Sequence, residues 1–288
     1  MDTRAFLGVT ATHNPYRWFL PVERRISTSG NFLFGGCALG AAVSAIEQTT
    51  GRTCVWTTAQ YLSYARPGEV MDIDVIVAVE GNQITQARAI GHVGEREIIT
   101  VNAALGTREF PHSAQFVTMP DVPRPEECKQ RERLARHRGT FHESLEERDV
   151  KIRSERERDE SLGDGRSIMW ARIPSVIDGV DAAALAVLGD FVPMAVGEAL
   201  GIVGGGNSLD NTLRVAHLVP TEYVLLDIHV HTVQNGFGHG TVHMFAEDGT
   251  LMAIASQSCI VRKYDPAKHG PLNQDLSTSE HTTSDQTK

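Results

Sequence analysis

Three small polar residues stand in apolar company toward the C-terminal end of the chain. Asp190 lies inside the run AAALAVLGDFVPMAVGEAL, Ser208 sits near the end of the glycine-rich GIVGGGNSLD, and Gln257 interrupts the strand-like AIASQSCIVR. The pattern places all three at or near a core. A carboxylate can accept a proton, a hydroxyl donates and accepts at once, and a primary amide does both through different atoms. Grouped, they can hold one water molecule in a fixed direction, an effect on the order of several kcal/mol. Each also has a plain structural reading. Asp190 can break or cap a helix ahead of Pro193, Ser208 can serve a turn or cap, and Gln257 can be hydrogen-bonded within its strand. A complementary feature lies near the other end, at Gly35-Gly36-Cys37. Two glycines before a helical run allow close backbone approach, and N–H groups at a helix start can bind a developing anion.

The elements that must position these groups follow from apolar spacing. Trp18 to Ile26 reads as a first strand. The small apolar residues from Cys37 to Gln48 suit a helix packed tightly on a sheet, with Gly51 as its stop. Four strand-like runs follow, TCVWTTAQYLSYA, EVMDIDVIVAVE, QITQARAIGHV and EIITVNAALG, divided by short turns. From Pro120 the chain becomes proline-rich and then charged, which reads as a solvated linker with a short helix. Beyond it the first pattern returns: polar strand, SIMWARIP, a helix over about Val180–Leu200, and strands NTLRVAHLV, EYVLLDIHVHTVQN, GHGTVHMFAE and LMAIASQSCIVRKY. Strand, helix, then four strands, given twice, predicts an α+β layout of two copies of one fold packed together. The expected boundaries are an N-terminal unit at 1–119, a linker at 120–140, a C-terminal unit at 141–264 and a disordered tail at 265–288.

Composition excludes several classes. With 288 residues, 41% hydrophobic, 22% charged and a formal net charge of -9, the chain reads as a soluble globular protein, not a general nucleic-acid binder. No apolar run reads as long enough to span a bilayer, and the first residues lack the signature of a signal peptide. The 4 cysteines, Cys37, Cys54, Cys128 and Cys259, are scattered, as reduced thiols of a cytoplasmic protein would be. GIVGGGNS lacks the Lys-Ser/Thr ending of a phosphate-binding loop, and no Gly-x-Ser-x-Gly elbow is present. His229, His231, His239 and His243 lie close in sequence, but no acid or Cys cluster completes a zinc set, so the expected metal is none.

FGGCALGAAVSA followed by TTAQYLSYARPGE resembles the N-terminal half of type II acyl-CoA thioesterases. GDFVP, NSLD and ASQSCIVR resemble that family's Asp-containing helix, its Thr-x-Asp-His bend and its Gln-containing last strand. The likeness covers most of residues 20–263. It implies a double hotdog, with two antiparallel sheets each wrapped around a long central helix. It also implies hydrolysis of acyl-CoA to a fatty acid and CoA without a cofactor, by an enzyme of lipid metabolism; a double hotdog often associates further into a homo-oligomer, but the sequence leaves the oligomeric state open. In that family an Asp, a Thr or Ser and a Gln orient and activate water; the matching residues are Asp190, Ser208 and Gln257. Gly35, Gly36, Cys37 and Thr58 fall on the expected oxyanion and substrate wall. The chain departs from the family at Ser208 for Thr, Asn211 for His, Cys37 for Gln, and Thr58 near the place of a His. A non-catalytic acyl-CoA or acyl-carrier binding protein is the alternative those departures favour, and a hydratase would need an Asp–His pair that is not evident.

Overall fold

A computed structural model describes residues 1–265; the tail expected from residue 265 onward lies almost wholly outside the described residues. The chain opens with α1 (Thr3–Leu7), β1 (Thr10–Ala11) and β2 (Arg17–Pro21). The long helix α2 (Gly35–Thr50) comes next, then β3 (Cys54–Tyr61), β4 (Val70–Glu80), β5 (Ile84–Val93) and β6 (Arg96–Gly106). A long connection carries β7 (Lys129–Gln130) and leads to β8 (Glu146–Lys151) and β9 (Arg166–Arg172). Helices α3 (Ala182–Leu188) and α4 (Val192–Ala199) precede β10 (Gly204–Val215), β11 (Val224–Gln234), β12 (Phe237–Ala246) and β13 (Leu251–Lys263).

All pairings are antiparallel, and the strands form one sheet in the order β1-β2-β4-β5-β6-β3-β10-β13-β12-β11-β9-β8-β7. Each half of the sheet wraps its own helical layer, α2 in the first half and α3–α4 in the second. The halves are joined edge to edge where β3 pairs with β10, so the two sheets expected from the sequence are continuous through a central seam.

Helix α2 is buried on all sides from Gly36 to Ile46, because the sheet curls around one face and α3 covers another. Its small residues make that contact possible. A Cβ at Gly36 would lie 2.5 Å from the Val187 carbonyl oxygen, and one at Gly40 would lie 2.9 Å from that of Ala183. The helix ends where Gly51 turns left-handed at φ 65°, its N–H bonded to the Glu47 carbonyl.

The second helix is not continuous over Val180–Leu200. It breaks at Gly189-Asp190-Phe191, and α4 restarts with Pro193 in its first turn. A continuous helix would set the proline ring against the Gly189 carbonyl; in a first turn the missing N–H does no harm. The two helices span Ala182–Ala199, an 18-residue window of mean hydropathy 1.5 that is long and apolar enough to cross a membrane, contrary to the sequence expectation. In the fold it is core, with 83% of the window buried.

Two further expectations change. The glycine-rich bend is strand: β10 begins at Gly204, and its glycines let the backbone pass Pro193 and Cys259, whose atoms would lie 2.9 Å and 2.6 Å from a Cβ at Gly205 and Gly206. The charged connection is only partly solvated. Val117, Met119 and Val122 pack on a second apolar cluster containing Trp170, Leu225 and Phe245, and Trp170 Nε1 donates to the Pro123 carbonyl at 2.9 Å. Further along, Phe141 stacks on Phe34 with ring centroids 4.3 Å apart.

Candidate active site

Asp190 occupies the break between α3 and α4, is 5% exposed, and turns its carboxylate toward three donors. Ser208 Oγ donates to Oδ1 at 3.1 Å, and Gln257 Nε2 makes a short hydrogen bond to the same oxygen. The Gly36 backbone N–H donates to Oδ2 at 2.6 Å, across 154 residues of sequence. Gln257 Nε2 also reaches Ser208 Oγ at 2.8 Å, closing a triangle. The three residues singled out in the sequence therefore form one cluster, Asp190 and Gln257 buried and Ser208 half-buried, with the N-terminus of α2 as its fourth side.

Local structure explains the convergence. Gln257 lies on the inward face of β13 between Ala255 and Cys259, all three buried. Ser208 faces Cys259 in register, and the pairing slips between Ser208 and Asp210, so Leu209 is a bulge residue. Asp210 braces the neighbouring strand by accepting from the Ser258 N–H at 2.8 Å.

The electrostatics suit a base. Burial pushes the Asp190 carboxyl up to about 6, while the hydrogen bonds from Gln257, Gly36 and Ser208 hold it down. The group is thus ionised just above its midpoint at neutral pH. A carboxylate has about four lone-pair sites. Three are engaged by these donors, two on Oδ1 and one on Oδ2, leaving one on Oδ2 for a proton.

The N-terminal residues divide. Gly35 and Gly36 border the site directly. A Cβ at Gly35 would lie 2.6 Å from Asp190 Oδ2, so only glycine permits this approach. The Gly36 N–H is already bonded to Asp190 and is not a free oxyanion donor, which corrects its expected role. Cys37 is fully buried in the first turn of α2; burial first and the Asp190 charge second push its thiol well up, so it stays protonated. Thr58 is a correction. Its neighbours Thr57 and Ala59 are the buried, inward residues of β3, and Thr58 points to the opposite face, where its hydroxyl lies 2.9 Å from that of Thr212. The residue of β3 that does reach the site is Tyr61, whose OH donates to the Gly35 carbonyl at 3.0 Å. Its strand parity relative to the apolar Ala59 was the available signal.

The histidines gather differently from expectation. Asp227 joins His229 and His243, with one ligand atom of each within 4.8 Å of the others, so an acid does complete the group. Arg166 engages both Asp227 oxygens, Nε at 2.8 Å and Nη2 at 3.0 Å, while His229 Nε2 lies 3.1 Å from Oδ1. The carboxylate's charge is thereby answered by an ion pair. All four cysteines are buried and unpaired.

An antiparallel sheet curled in two halves around buried helices, with an oriented carboxylate between the halves, is a double hotdog. Residues 125–261 match the acyl-CoA thioesterase C-terminal domain family. A protein of Novosphingobium aromaticivorans assigned as a thioesterase is 30% identical, with a TM-score of 0.77 over 88% of this chain and 98% of its own. The chain belongs to the acyl-CoA thioesterase family, a family of thioester hydrolases. At lower identity the fold alone is shared. A hot dog protein of unknown function from Alicyclobacillus acidocaldarius is 17% identical with a TM-score of 0.80, covering 92% of this chain and 100% of its own. An acyl-CoA thioesterase II from Mycobacterium marinum is 17% identical with a TM-score of 0.69, covering 91% and 99%. A search of curated proteins by sequence gave no match.

Proposed function

We propose that this chain hydrolyses acyl-CoA to a free acid and CoA by attack of a water held at Asp190. The observation that carries the reading is the Asp190 carboxylate itself: buried, tied by Ser208, Gln257 and the Gly36 N–H, and poised to ionise at about 6. One water proton goes to the remaining site on Asp190 Oδ2. The second stays on the water oxygen and is held in a hydrogen bond to Gln257 Oε1, a buried atom with no other partner among the described residues. The water oxygen then attacks the thioester carbonyl carbon. The C–S bond breaks as the oxyanion collapses, and the proton on Asp190 passes to the departing thiolate. Ser208 fixes the rotation of both the carboxylate and the amide. The N–H groups of the first turn of α2 lack intrahelical partners, and that of Cys37 follows the one Asp190 uses.

The test is thiol release from a panel of short, medium and long acyl-CoAs; a purified chain that releases none refutes hydrolysis and leaves acyl-CoA binding as the alternative. With the best substrate, kcat/KM is expected to rise about tenfold per pH unit below about pH 6 and to level off above it, because Asp190 must be ionised to take a proton. A flat profile between about pH 5 and pH 8 would exclude Asp190 as the base. Gln257→Ala is expected to lower kcat about 100-fold, since it frees both the water and the carboxylate. Ser208→Ala is expected to lower it about tenfold, the loss of one hydrogen bond to a charged group. Steady-state kinetics on the two variants checks the order.

A further inference from the structure

Asn211 is 1% exposed, and neither its Nδ2 nor its Oδ1 has a hydrogen-bond partner. A buried amide left unpaired costs about 1–3 kcal/mol, and native folds seldom tolerate it without a purpose. Its placement is specific. Asn211 lies directly opposite Gln257 between β10 and β13, and opposite Ala59 between β10 and β3. Directly opposed residues share a face, with Cβ atoms about 4.5–5.5 Å apart. The Asn211 amide therefore lies on the same face as, and beside, the Gln257 amide, whose Oε1 is also unpartnered. The bulge at Leu209 makes this possible, because three positions along a regular strand would put Ser208 and Asn211 on opposite faces. Tyr61 flanks the amide, close enough for the two to feel each other, but no hydrogen bond of normal geometry joins them.

The other side-chain donors around Asp190, and the Gly36 N–H, are committed. Both Gln257 Nε2 hydrogens go to Asp190 and Ser208, the Ser208 hydrogen goes to Asp190, the Tyr61 hydrogen goes to the Gly35 carbonyl, and the Gly36 N–H goes to Asp190. Hydrolysis also needs a donor where the carbonyl oxygen becomes anionic. We propose that Asn211 is a further catalytic residue, whose Nδ2 donates to the thioester carbonyl oxygen. The assignment rests on the thioesterase reading and adds to it the side chain that stabilises the oxyanion. In the tetrahedral intermediate the former carbonyl oxygen carries the negative charge, and Nδ2–H···O⁻ replaces an unmade bond.

The experiment uses the full chain with Asn211→Leu and Asn211→Ala. Asn211→Leu keeps the volume and removes both polar atoms. Its kcat is expected to fall roughly 100–1,000-fold with KM within about threefold of wild type, the loss seen when one oxyanion donor is removed. Its melting temperature is expected to equal or exceed that of wild type, since no partner is orphaned. An amide with a structural role would lower both. Turnover within about threefold of wild type, or loss of kcat with matching loss of melting temperature in both variants, overturns the assignment while wild-type thiol release keeps the thioesterase reading intact. Should the wild type release no thiol, binding decides separately. An S-(2-oxoalkyl)-CoA, which keeps a carbonyl, is compared with an S-alkyl-CoA, which lacks one. Asn211→Leu is expected to weaken the first about tenfold and leave the second unchanged; equal effects on both refute the contact.

Discussion

Asp190→Asn is expected to release thiol about 100–10,000 times more slowly than wild type, the range lost with a general base, and yet to melt at a higher temperature at about pH 8. Both effects come from the same burial. The carboxyl is raised from 3.8 to about 6 in the folded chain, so the folded state binds a proton more readily than the unfolded state. Wild-type stability is therefore fullest below the unfolded value and declines as pH rises through the window from about 4 to about 6; above it the penalty is complete. At 1.36 kcal/mol per pH unit this is on the order of 3 kcal/mol. An asparagine carries no such penalty. Its Oδ1 can still accept from Gly36, and Gln257 can rotate its amide so that Oε1 meets the new Nδ2. Melting curves of the two proteins should diverge at about pH 8 and converge near pH 4. If the variant melts lower at both, the carboxylate is held by its donors more strongly than its burial opposes, and the rise in its ionisation is wrong.

The second large effect is expected from one methyl group. In Gly36→Ala the added Cβ would sit 2.5 Å from the Val187 carbonyl oxygen and 3.0 Å from the Asp190 Cβ. Both are parts of the backbone or its first atom, not the free end of a side chain, so α2 and α3 must separate. Overpacking of this kind costs about 1–3 kcal/mol. It also moves the N–H that holds Asp190 Oδ2, and a displacement of about 1 Å at a catalytic group can cost about 100-fold in rate. Gly40→Ala is the comparator. It wedges the same helix pair at 2.9 Å from the Ala183 carbonyl, one turn from the site. Melting temperature should fall in both variants, whereas kcat should collapse only in Gly36→Ala. Equal kinetics in the two would mean that the glycine serves packing alone.

The element order was legible because it is written in local periods. Alternation gave β4 and β5, and the small apolar run with Gly51 behind it gave α2 within two residues at each end. The cluster of Asp190, Ser208 and Gln257 was legible as residue types in the wrong surroundings, sharpened by a family likeness. What escaped depends on distance or parity. Nothing near Gly36 announces that its N–H will meet a carboxylate 154 residues away. Thr58 was misplaced because a single step along a strand exchanges the two faces of the sheet, and Tyr61 was overlooked for the same reason. The bulge at Leu209 leaves no mark in hydropathy, so the glycine-rich segment reads as a bend when it is a strand. The helix break at Asp190 is a different case, since Pro193 states it outright.

Counted outward from the seam, β6, β5, β4 and β2 on one side answer β13, β12, β11 and β9 on the other. Two separate, identical subunits meeting along such a line would repeat every residue across it by a two-fold rotation, and each crossing would be made twice. The helix start that admits a carboxylate and the helix bearing that carboxylate would then belong to one sequence, and the centre would occur twice. Carrying both copies on one polypeptide lifts that demand. Gly35-Gly36 can be stripped of side chains while Asp190 keeps its own, and the pair shares a single centre between unlike walls. Broken symmetry thus leaves the duplicated scaffold with a single centre, where a bare backbone donor and an acid meet at 2.6 Å.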